Sequence, residues 1–142
     1  MILQKLKYQI FVLILVVSAC GQKEQNKNVF IANEMMIRIA ELEIYPEHLN
    51  EYLTILKEEA EASVRLEAGV ISIYPMFTKE NPNEIKILEI YKDKKAYELH
   101  LQTPHFKHYK TSTLKMVKSL NLVDMEALDK ETMPKIFEKL SK

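Results

Sequence analysis

The segment IKILEIYKDKKAYELHLQTPHFKHY, residues 85–109, predicts a β-strand followed by two short helices. The strand is apolar apart from two charged residues, one of them Glu89. Asp93 follows at a turn. Thr103 with Pro104 is typical of a helix start, because a threonine hydroxyl can cap the first turn and proline needs no N–H there. Three of the four histidines of the chain fall within nine residues of this segment, so we expect any chemical site to lie here.

The residues on either side of this segment predict an α+β fold. We expect strands at residues 35–44, 70–77, 84–91 and 120–125, and helices at 46–68, 94–101, 104–117 and 132–140. The short turn between the second and third strands predicts an antiparallel hairpin. The order β-α-β-β-α-α-β, with the last helix as an extension, predicts a ferredoxin-like sandwich of four antiparallel strands with helices on one face.

The first helix is predicted from apolar residues at helical spacing, which are Leu49, Leu53, Leu56, Ala60 and Val64. Charged residues are expected on its other faces, and they are Glu51, Lys57, Glu58, Glu59 and Glu61. Gly69 is expected to end this helix region in a left-handed conformation. Pro75 in the following strand predicts an edge position or a bulge, because proline cannot donate to a strand ladder.

The third strand is apolar on both of its faces. Ile85, Ile87 and Tyr91 should point to one face, and Leu88 and Ile90 to the other. An apolar face is hard to reconcile with exposure to water, so a second sheet should cover it. This pattern predicts a homodimer.

The composition excludes several classes of function. The 142 residues include 20 basic and 20 acidic residues, and the only arginines are Arg38 and Arg65, so no basic surface for nucleic acid is predicted. The two glycines, Gly21 and Gly69, lie far apart, whereas a phosphate-binding loop needs several close together. The single cysteine, Cys20, allows no disulfide within the chain and no cysteine-based metal cluster.

Residues 1–19 are predicted to be a signal peptide. Two lysines precede the apolar run IFVLILVV at 10–17, which is shorter than the roughly 20 residues of a membrane-spanning helix. The next residues, VSAC at 17–20, resemble the lipobox of bacterial lipoproteins, in which the cysteine is lipidated and becomes the N-terminus. Cys20 is therefore the predicted lipidation site. A plain secretion signal and an uncleaved N-terminal anchor are the alternatives.

The lipoprotein interpretation divides the rest of the chain into three parts. Residues 20–34 would be the lipidated cysteine and a polar tether, residues 35–126 the folded domain, and residues 127–142 a C-terminal helical extension. We expect the protein in the bacterial cell envelope, attached to a membrane through its lipid. Gly21 after the cysteine gives no strong retention signal, which favours the outer membrane, on its periplasmic or surface face.

Residues spread over the predicted domain form a recognisable pattern. They are Glu67-Ala68-Gly69-Val70, Leu88-Glu89-Ile90-Tyr91, Ala96, His100, Thr103-Pro104-His105-Phe106 and Tyr109. This pattern resembles the antibiotic biosynthesis monooxygenase (ABM) family, in particular its quinol-monooxygenase-like members. The resemblance covers about residues 36–125, most of the predicted mature chain.

The resemblance implies a dimeric α/β barrel, made by two four-stranded sheets that pack face to face. It also implies oxidation of a reduced aromatic compound, such as a hydroquinone or an anthrone, by O₂ without a bound metal or flavin. Other members degrade haem or isomerise small sugar-derived signals. The absence of tryptophan from this chain disfavours haem degradation. The predicted lipid anchor departs from the usual cytoplasmic members.

His105 is the candidate general base. It should lie in the first turn of its helix, where the positive end of the helix dipole disfavours imidazolium. A neutral imidazole can remove a phenolic proton and leave an electron-rich anion that reacts with O₂. The alternative is that His105 only caps the helix or packs at its start.

His100 and Glu89 are the candidate supports of this base. His100 lies four residues after Ala96 and should share its inward face, where it would bind a substrate oxygen or a backbone carbonyl. Glu89 on an apolar strand face needs a partner, which would be a histidine or Arg38. The resemblance implies no cofactor. We also expect no metal site, because His105 and His108 have a spacing that permits metal binding but no acidic residue lies beside them in sequence, and Glu89 could join them only by tertiary contact.

Four aromatic residues are the candidate substrate-binding walls, namely Phe106, Tyr109, Tyr91 and Tyr74. Their alternative role is core packing. His108 lies among lysines and is expected in solvent. Together these residues predict a homodimeric, cofactor-independent monooxygenase that acts on a small quinol-like or aromatic substrate with O₂. A binding protein without turnover and a non-oxidative isomerase are the alternatives.

Overall fold

The computed structural model describes residues 34–129 and residue 135. The elements of this part of the chain are β1 (Met36–Ile44), α1 (Leu49–Leu66), β2 (Val70–Phe77), β3 (Glu84–Tyr91), α2 (Lys94–His100), α3 (Pro104–Thr113) and β4 (Val117–Met125). A single 3-10 turn, Pro46–His48, joins β1 to α1 and has the predicted proline at its first position. The order β-α-β-β-α-α-β confirms the predicted ferredoxin-like fold.

The four strands form one antiparallel sheet in the order β2-β3-β1-β4. The predicted hairpin of β2 and β3 is confirmed. Strand β2 lies at an edge of the sheet, which accommodates Pro75 and confirms the expectation drawn from it. Strands β1, β2 and β3 all contribute side chains to the core beneath the helices.

One face of the sheet packs against the helices. Ala40 lies opposite Ile87 and Leu42 opposite Ile85, and all four are buried. Directly opposed residues share a face, so the predicted inward face of β3 is confirmed. The buried apolar core consists of Ala40, Leu42, Ile44, Tyr52, Leu56, Ala60, Val70, Ile73, Ile85, Ile87, Tyr91, Ala96 and Met116.

The buried stripe of α1 is not the one predicted. Leu56 and Ala60 face the core as expected, but Val64 is 48% exposed. Glu59 and Ser63, which lie on the same stripe as Leu56, are buried instead. The prediction that Glu59 lies on a different face of α1 from the apolar stripe is therefore wrong, because Glu59 contacts Ser63 and faces His100 on α2.

The boundary between α3 and β4 also differs from the prediction. The helix ends at Thr113 and the strand begins at Val117, whereas the helix was expected to continue to residue 117. Val117 lies opposite Ile44 on β1, and Met116 is buried. The chain must leave the helix early so that β4 can pair along the full length of β1.

Gly69 serves a different purpose from the one expected. Among the described residues no glycine has a positive φ, so the predicted left-handed conformation is wrong. The helix ends instead with Glu67 in an extended conformation. A Cβ on Gly69 would lie 2.5 Å from the Cβ of Ala96, so glycine is required for the close approach of α2.

Several predicted features lie outside the described residues. These are the signal peptide, Cys20, nearly all of the polar tether and, apart from residue 135, the C-terminal helix at 132–140. Within residues 34–129, no helix is both long and apolar enough to cross a membrane.

Candidate functional site

A cavity of about 440 Å³ lies between the sheet and helices α2 and α3. Its aromatic wall consists of Tyr91, Tyr97, Phe106 and Tyr109, and its aliphatic wall of Ala40, Leu101, Leu114, Val117, Leu120 and Leu122. Its charged residues are Glu89, Arg38 and two exposed lysines, Lys110 and Lys118. A mostly apolar wall with a few polar groups is typical of a site for a small organic molecule.

Glu89 supplies the carboxylate of the cavity. It lies on β3, and its carboxylate accepts a hydrogen bond from the Tyr91 hydroxyl at 3.1 Å. Burial raises the pKa of Glu89 above its ordinary value, and the Tyr91 hydrogen bond opposes this only in part. A carboxylate with a raised pKa is a stronger base, so it suits removal of a proton from a weakly acidic ligand.

Arg38 is the least exposed of the three cations that line the cavity. It lies directly opposite Glu89 in the sheet, but it donates its hydrogen bonds to other residues. Its Nε and Nη2 lie 2.7 and 2.6 Å from Asp124 Oδ1, and its Nη1 donates to the Tyr97 hydroxyl at 2.9 Å. These contacts fix the guanidinium 4.9 Å from the centre of the Tyr97 ring. Arg38 and Glu89, which were expected to pair, are therefore neighbours on adjacent strands without a direct hydrogen bond between them.

The tyrosine hydroxyls of the cavity are donors rather than bases. The Tyr109 hydroxyl lies 2.7 Å from that of the fully buried Tyr52. Burial raises the pKa of Tyr109 to about 12 and raises that of Tyr91 further. Both hydroxyls therefore stay protonated at neutral pH and offer hydrogen bonds to the carboxylate or to a ligand.

A second group of polar residues lies where three helices meet. Glu67 follows the end of α1, and its Oε1 lies 3.0 Å from His100 Nδ1 and 2.6 Å from His105 Nε2. Glu59 Oε1 lies 3.6 Å from the other ring nitrogen of His100, and Ser63 donates a hydrogen bond to it at 2.8 Å. Two carboxylates and two imidazoles thus form one partly to fully buried cluster.

The histidine cluster and the cavity are adjacent but separate. Among the described residues that line the cavity, neither histidine is found. The His100 ring packs against the rings of Tyr91 and Phe106, with centroid distances of 5.4 and 4.7 Å. These two aromatic rings therefore lie between the cavity and the imidazole of His100.

The candidate residues from the sequence divide between these two places. Glu89, Tyr91, Phe106 and Tyr109 line the cavity, and His100 and His105 lie in the cluster. His100 shares the buried face of Ala96 as expected, although its partners are carboxylates rather than a backbone carbonyl.

Two of the candidate side chains lie away from both places. Tyr74 is 61% exposed, and it lies opposite Leu88 on the face of the sheet away from the helices, so the structure does not place it in the cavity. His108 is exposed, as expected, and contacts Ser112.

The sequence did not identify two residues of the cluster, Glu59 and Glu67. Glu59 lies among other charged residues of α1, so its burial was not expected. Its spacing was a usable signal, because it lies three residues after Leu56 and four before Ser63, on the buried face. Glu67 lies within the motif that carries the family resemblance, but its partners are more than 30 positions away. Sequence spacing carries no signal for such a contact.

Three residues of the cluster have the arrangement of metal ligands. Glu67, His100 and His105 each offer one ligand atom, and these atoms all lie within 4.8 Å of one another. The expectation of no metal site rested on the lack of an acidic residue next to the histidines. Tertiary contact supplies that acidic residue, and it is Glu67 rather than Glu89.

A larger groove of about 610 Å³ lies elsewhere, between α1 and the edge strand β2. Its walls are almost entirely aliphatic, and Lys57 and Glu61 are its only charged residues in the described chain. Both are exposed. The groove therefore lacks the convergent buried polar groups that distinguish the cavity beside α3.

Comparison with known proteins gives a consistent result. A family model described as antibiotic biosynthesis monooxygenase matches residues 35–112. A candidate antibiotic biosynthesis monooxygenase from Bacteroides thetaiotaomicron has a similar structure, with 50% identity, a TM-score of 0.68, and coverage of 69% of this chain and 93% of that chain. A candidate monooxygenase from Lactobacillus acidophilus is 28% identical with a TM-score of 0.63, covering 64% of this chain but only 43% of the other. A search of curated proteins gave no match.

Proposed function

The chain belongs to the antibiotic biosynthesis monooxygenase family, and we propose that it is a cofactor-independent oxygenase that oxidises a small quinol-like or other reduced aromatic compound with O₂. The observation that carries this proposal is the position of Glu89, a partly buried carboxylate with a raised pKa, in an aromatic-walled cavity beside Arg38. The volume of the cavity lies within the range of about 300–1,000 Å³ that is usual for small-molecule sites.

The proposed reaction begins with removal of a proton from the substrate. The Glu89 carboxylate accepts a phenolic or activated C–H proton, and the resulting anion passes an electron to O₂. Arg38 stabilises the negative charge, first on the anion and then on the reduced oxygen. For a phenol or an anthrone, two substrate hydrogens leave with one oxygen atom as water, and the second oxygen atom becomes a carbonyl of the product.

The geometry favours Glu89 over His105 as the base. His105 Nε2 faces the Glu67 carboxylate at 2.6 Å, outside the lining of the cavity. His100 packs behind Tyr91 and Phe106 and acts in this proposal as a positioning residue for those two rings. The role of His105 as base stays a prediction, and the experiment below separates the two residues.

The test is O₂ uptake by the full-length chain, treated with chelator, on a panel of hydroquinones, catechols and anthrones. We expect saturable uptake that Glu89→Gln reduces by about 10²- to 10⁴-fold, the usual contribution of a general base. Glu98→Gln is the matched control, because Glu98 is an exposed acid on α2. Normal uptake in Glu89→Gln with loss in His105→Ala would return the role of base to His105.

The same cavity also suits a binding protein that does not turn over its ligand, because most of its wall is aliphatic or aromatic. Saturable binding of the aromatic panel without O₂ uptake, in a folded chain, would favour this second function. In that case Glu89→Gln and the parent chain would differ only in their affinity for the aromatic compounds.

We also propose that this domain is tethered to a membrane of the bacterial cell envelope through a lipid on Cys20. The support is the VSAC sequence at 17–20 after an apolar run. A tether would hold the cavity beside lipid-soluble quinols. Cys20→Ser should abolish incorporation of labelled fatty acid and release the protein from the membrane fraction; membrane attachment unchanged in Cys20→Ser would contradict the proposal.

A further inference from the structure

The cluster of Glu67, His100 and His105 has a second chemical capacity, which the proposed oxidation does not use. We propose that these three residues bind a divalent first-row transition-metal ion such as Zn²⁺, which links the ends of α1, α2 and α3. This inference is independent of the oxidation, because the three side chains do not belong to the described lining of the cavity.

The ligand atoms are of the types that such an ion binds, and they lie close together. They are one carboxylate oxygen and two imidazole nitrogens, with Glu67 Oε1 lying 3.0 Å from His100 Nδ1 and 2.6 Å from His105 Nε2, and all three within 4.8 Å of one another. Small side-chain rotations would bring each atom to the usual distance of about 2.0–2.2 Å from a common centre. Three protein ligands leave at least one position for water, the arrangement of an open metal site.

The neighbouring residues supply the support that metal-binding histidines usually have. If His100 uses Nδ1 for the metal, its Nε2–H points to the Glu59 carboxylate, whose oxygen lies 3.6 Å away. Ser63 donates to the same oxygen and fixes its position. A carboxylate behind the far nitrogen of an imidazole sets its tautomer and raises its strength as a ligand.

The charge of the cluster also calls for a cation. Glu59 and Glu67 bring two carboxyl groups into a region where His100 is only 3% exposed. A divalent ion supplies opposite charge to such a pair of buried carboxyl groups. Glu67 and His105 keep some exposure, with side chains at 13% and 19%, so an ion can enter from solvent.

The test is a titration of the chelator-treated, full-length chain, without a polyhistidine tag, with Zn²⁺ in a calorimeter. We expect one Zn²⁺ per chain, and at least a tenfold loss of affinity in His105→Ala. Glu59→Gln should also weaken binding, by about 10- to 100-fold, as for other residues behind a ligand. His108→Ala is the matched control, since His108 is an exposed histidine on the same helix and should leave the affinity unchanged.

A second readout separates a lost ligand from a misfolded variant. Zn²⁺ should raise the melting temperature of the parent chain and of His108→Ala, but not that of His105→Ala or Glu67→Gln. Co²⁺ should give a visible absorption band in the parent chain that His105→Ala lacks. Equal Zn²⁺ affinity in the parent and His105→Ala chains, or no stoichiometric binding, would overturn the proposal and leave a hydrogen-bonded network only. The proposed oxidation is tested separately, by the O₂-uptake assay on the chelator-treated chain.

Discussion

The partly buried carboxylate of Glu89 predicts the pH dependence of the proposed reaction. Only the ionised form accepts a proton, so kcat/KM should rise with pH through the raised pKa of Glu89. The acid limb should therefore lie above the ordinary glutamate value of 4.5. Oxygen uptake measured from pH 4 to 9 on one substrate checks this. An unchanged acid limb in the residual activity of Glu89→Gln would contradict the assignment.

The same carboxylate predicts a dependence of stability on pH. Because burial raises the pKa of Glu89 in the folded state, the folded chain binds this proton more tightly than the unfolded chain. The contribution of this group to stability is complete below the unfolded pKa and is lost as the pH rises through the folded pKa. Relative to Glu89→Gln, the parent chain should lose about 1.4 kcal/mol for each tenfold difference in proton affinity. Urea unfolding of both chains at several pH values measures this, and parallel pH profiles would exclude it.

Gly69 offers a test of packing at one atom. Gly69→Ala should destabilise the fold by about 1–3 kcal/mol, because its new Cβ would overlap that of Ala96 at 2.5 Å. The double change Gly69→Ala with Ala96→Gly should recover part of this loss. Urea unfolding measures the free energy of both variants. An additive double variant would show that the cost does not come from this contact.

At the scale of residues, the lining of the cavity was easier to predict from the sequence than the histidine cluster. Strand alternation places Glu89 and Tyr91 on the inward face, and that placement agrees with the structure. The same alternation places Tyr74 on the outer face once the register with Leu88 is known. The contact of Glu67 with the histidines depends on how three helix ends meet, and local periodicity does not contain that information.

The capping residue Thr103 connects the start of α3 with the end of α2, and so helps to position Phe106 and His100. The Thr103 hydroxyl accepts a hydrogen bond from the Phe106 N–H at 3.3 Å and donates one to the His100 carbonyl at 2.8 Å. Thr103→Ala should therefore cost about 1 kcal/mol in urea unfolding, the usual value for a lost N-cap. Thr111→Ala, on the exposed side of the same helix, is the control and should change stability much less. Equal losses of unfolding free energy in both variants would show that Thr103 has no special role as a cap.

At the scale of elements, most of the fold was predictable because the patterns are local. Alternation of apolar residues predicts strand β3. Asp93 marks the start of α2, and the Thr103-Pro104 pair marks the start of α3. The end of α3 was not predictable in the same way. Residues 114–117 are apolar enough to continue a helix, and only the pairing of Val117 with Ile44 on β1 decides otherwise.

At the scale of the whole molecule, the face of the sheet away from the helices is one that no described helix covers. In the described chain its central positions are aliphatic, with Ile37 and Ile39 on β1 beside Leu88 and Ile90 on β3. Toward one end, the same face carries charged pairs, including Lys86 with Glu41 at 2.6 Å. We expect the apolar half to pack on the same half of a second copy, as the family resemblance implies, with the charged pairs at its rim.

Leu88 lies at the centre of this surface, between Ile39 and Tyr74 on the two neighbouring strands, so it tests the dimer directly. Leu88→Lys should convert a dimer into a monomer in sedimentation velocity, because the lysine of each copy would otherwise lose its water within an apolar contact. Thr111→Lys adds the same charge on the helical side and should leave the dimer intact. A monomeric parent chain, or dimers in both variants, would place any self-association on another surface.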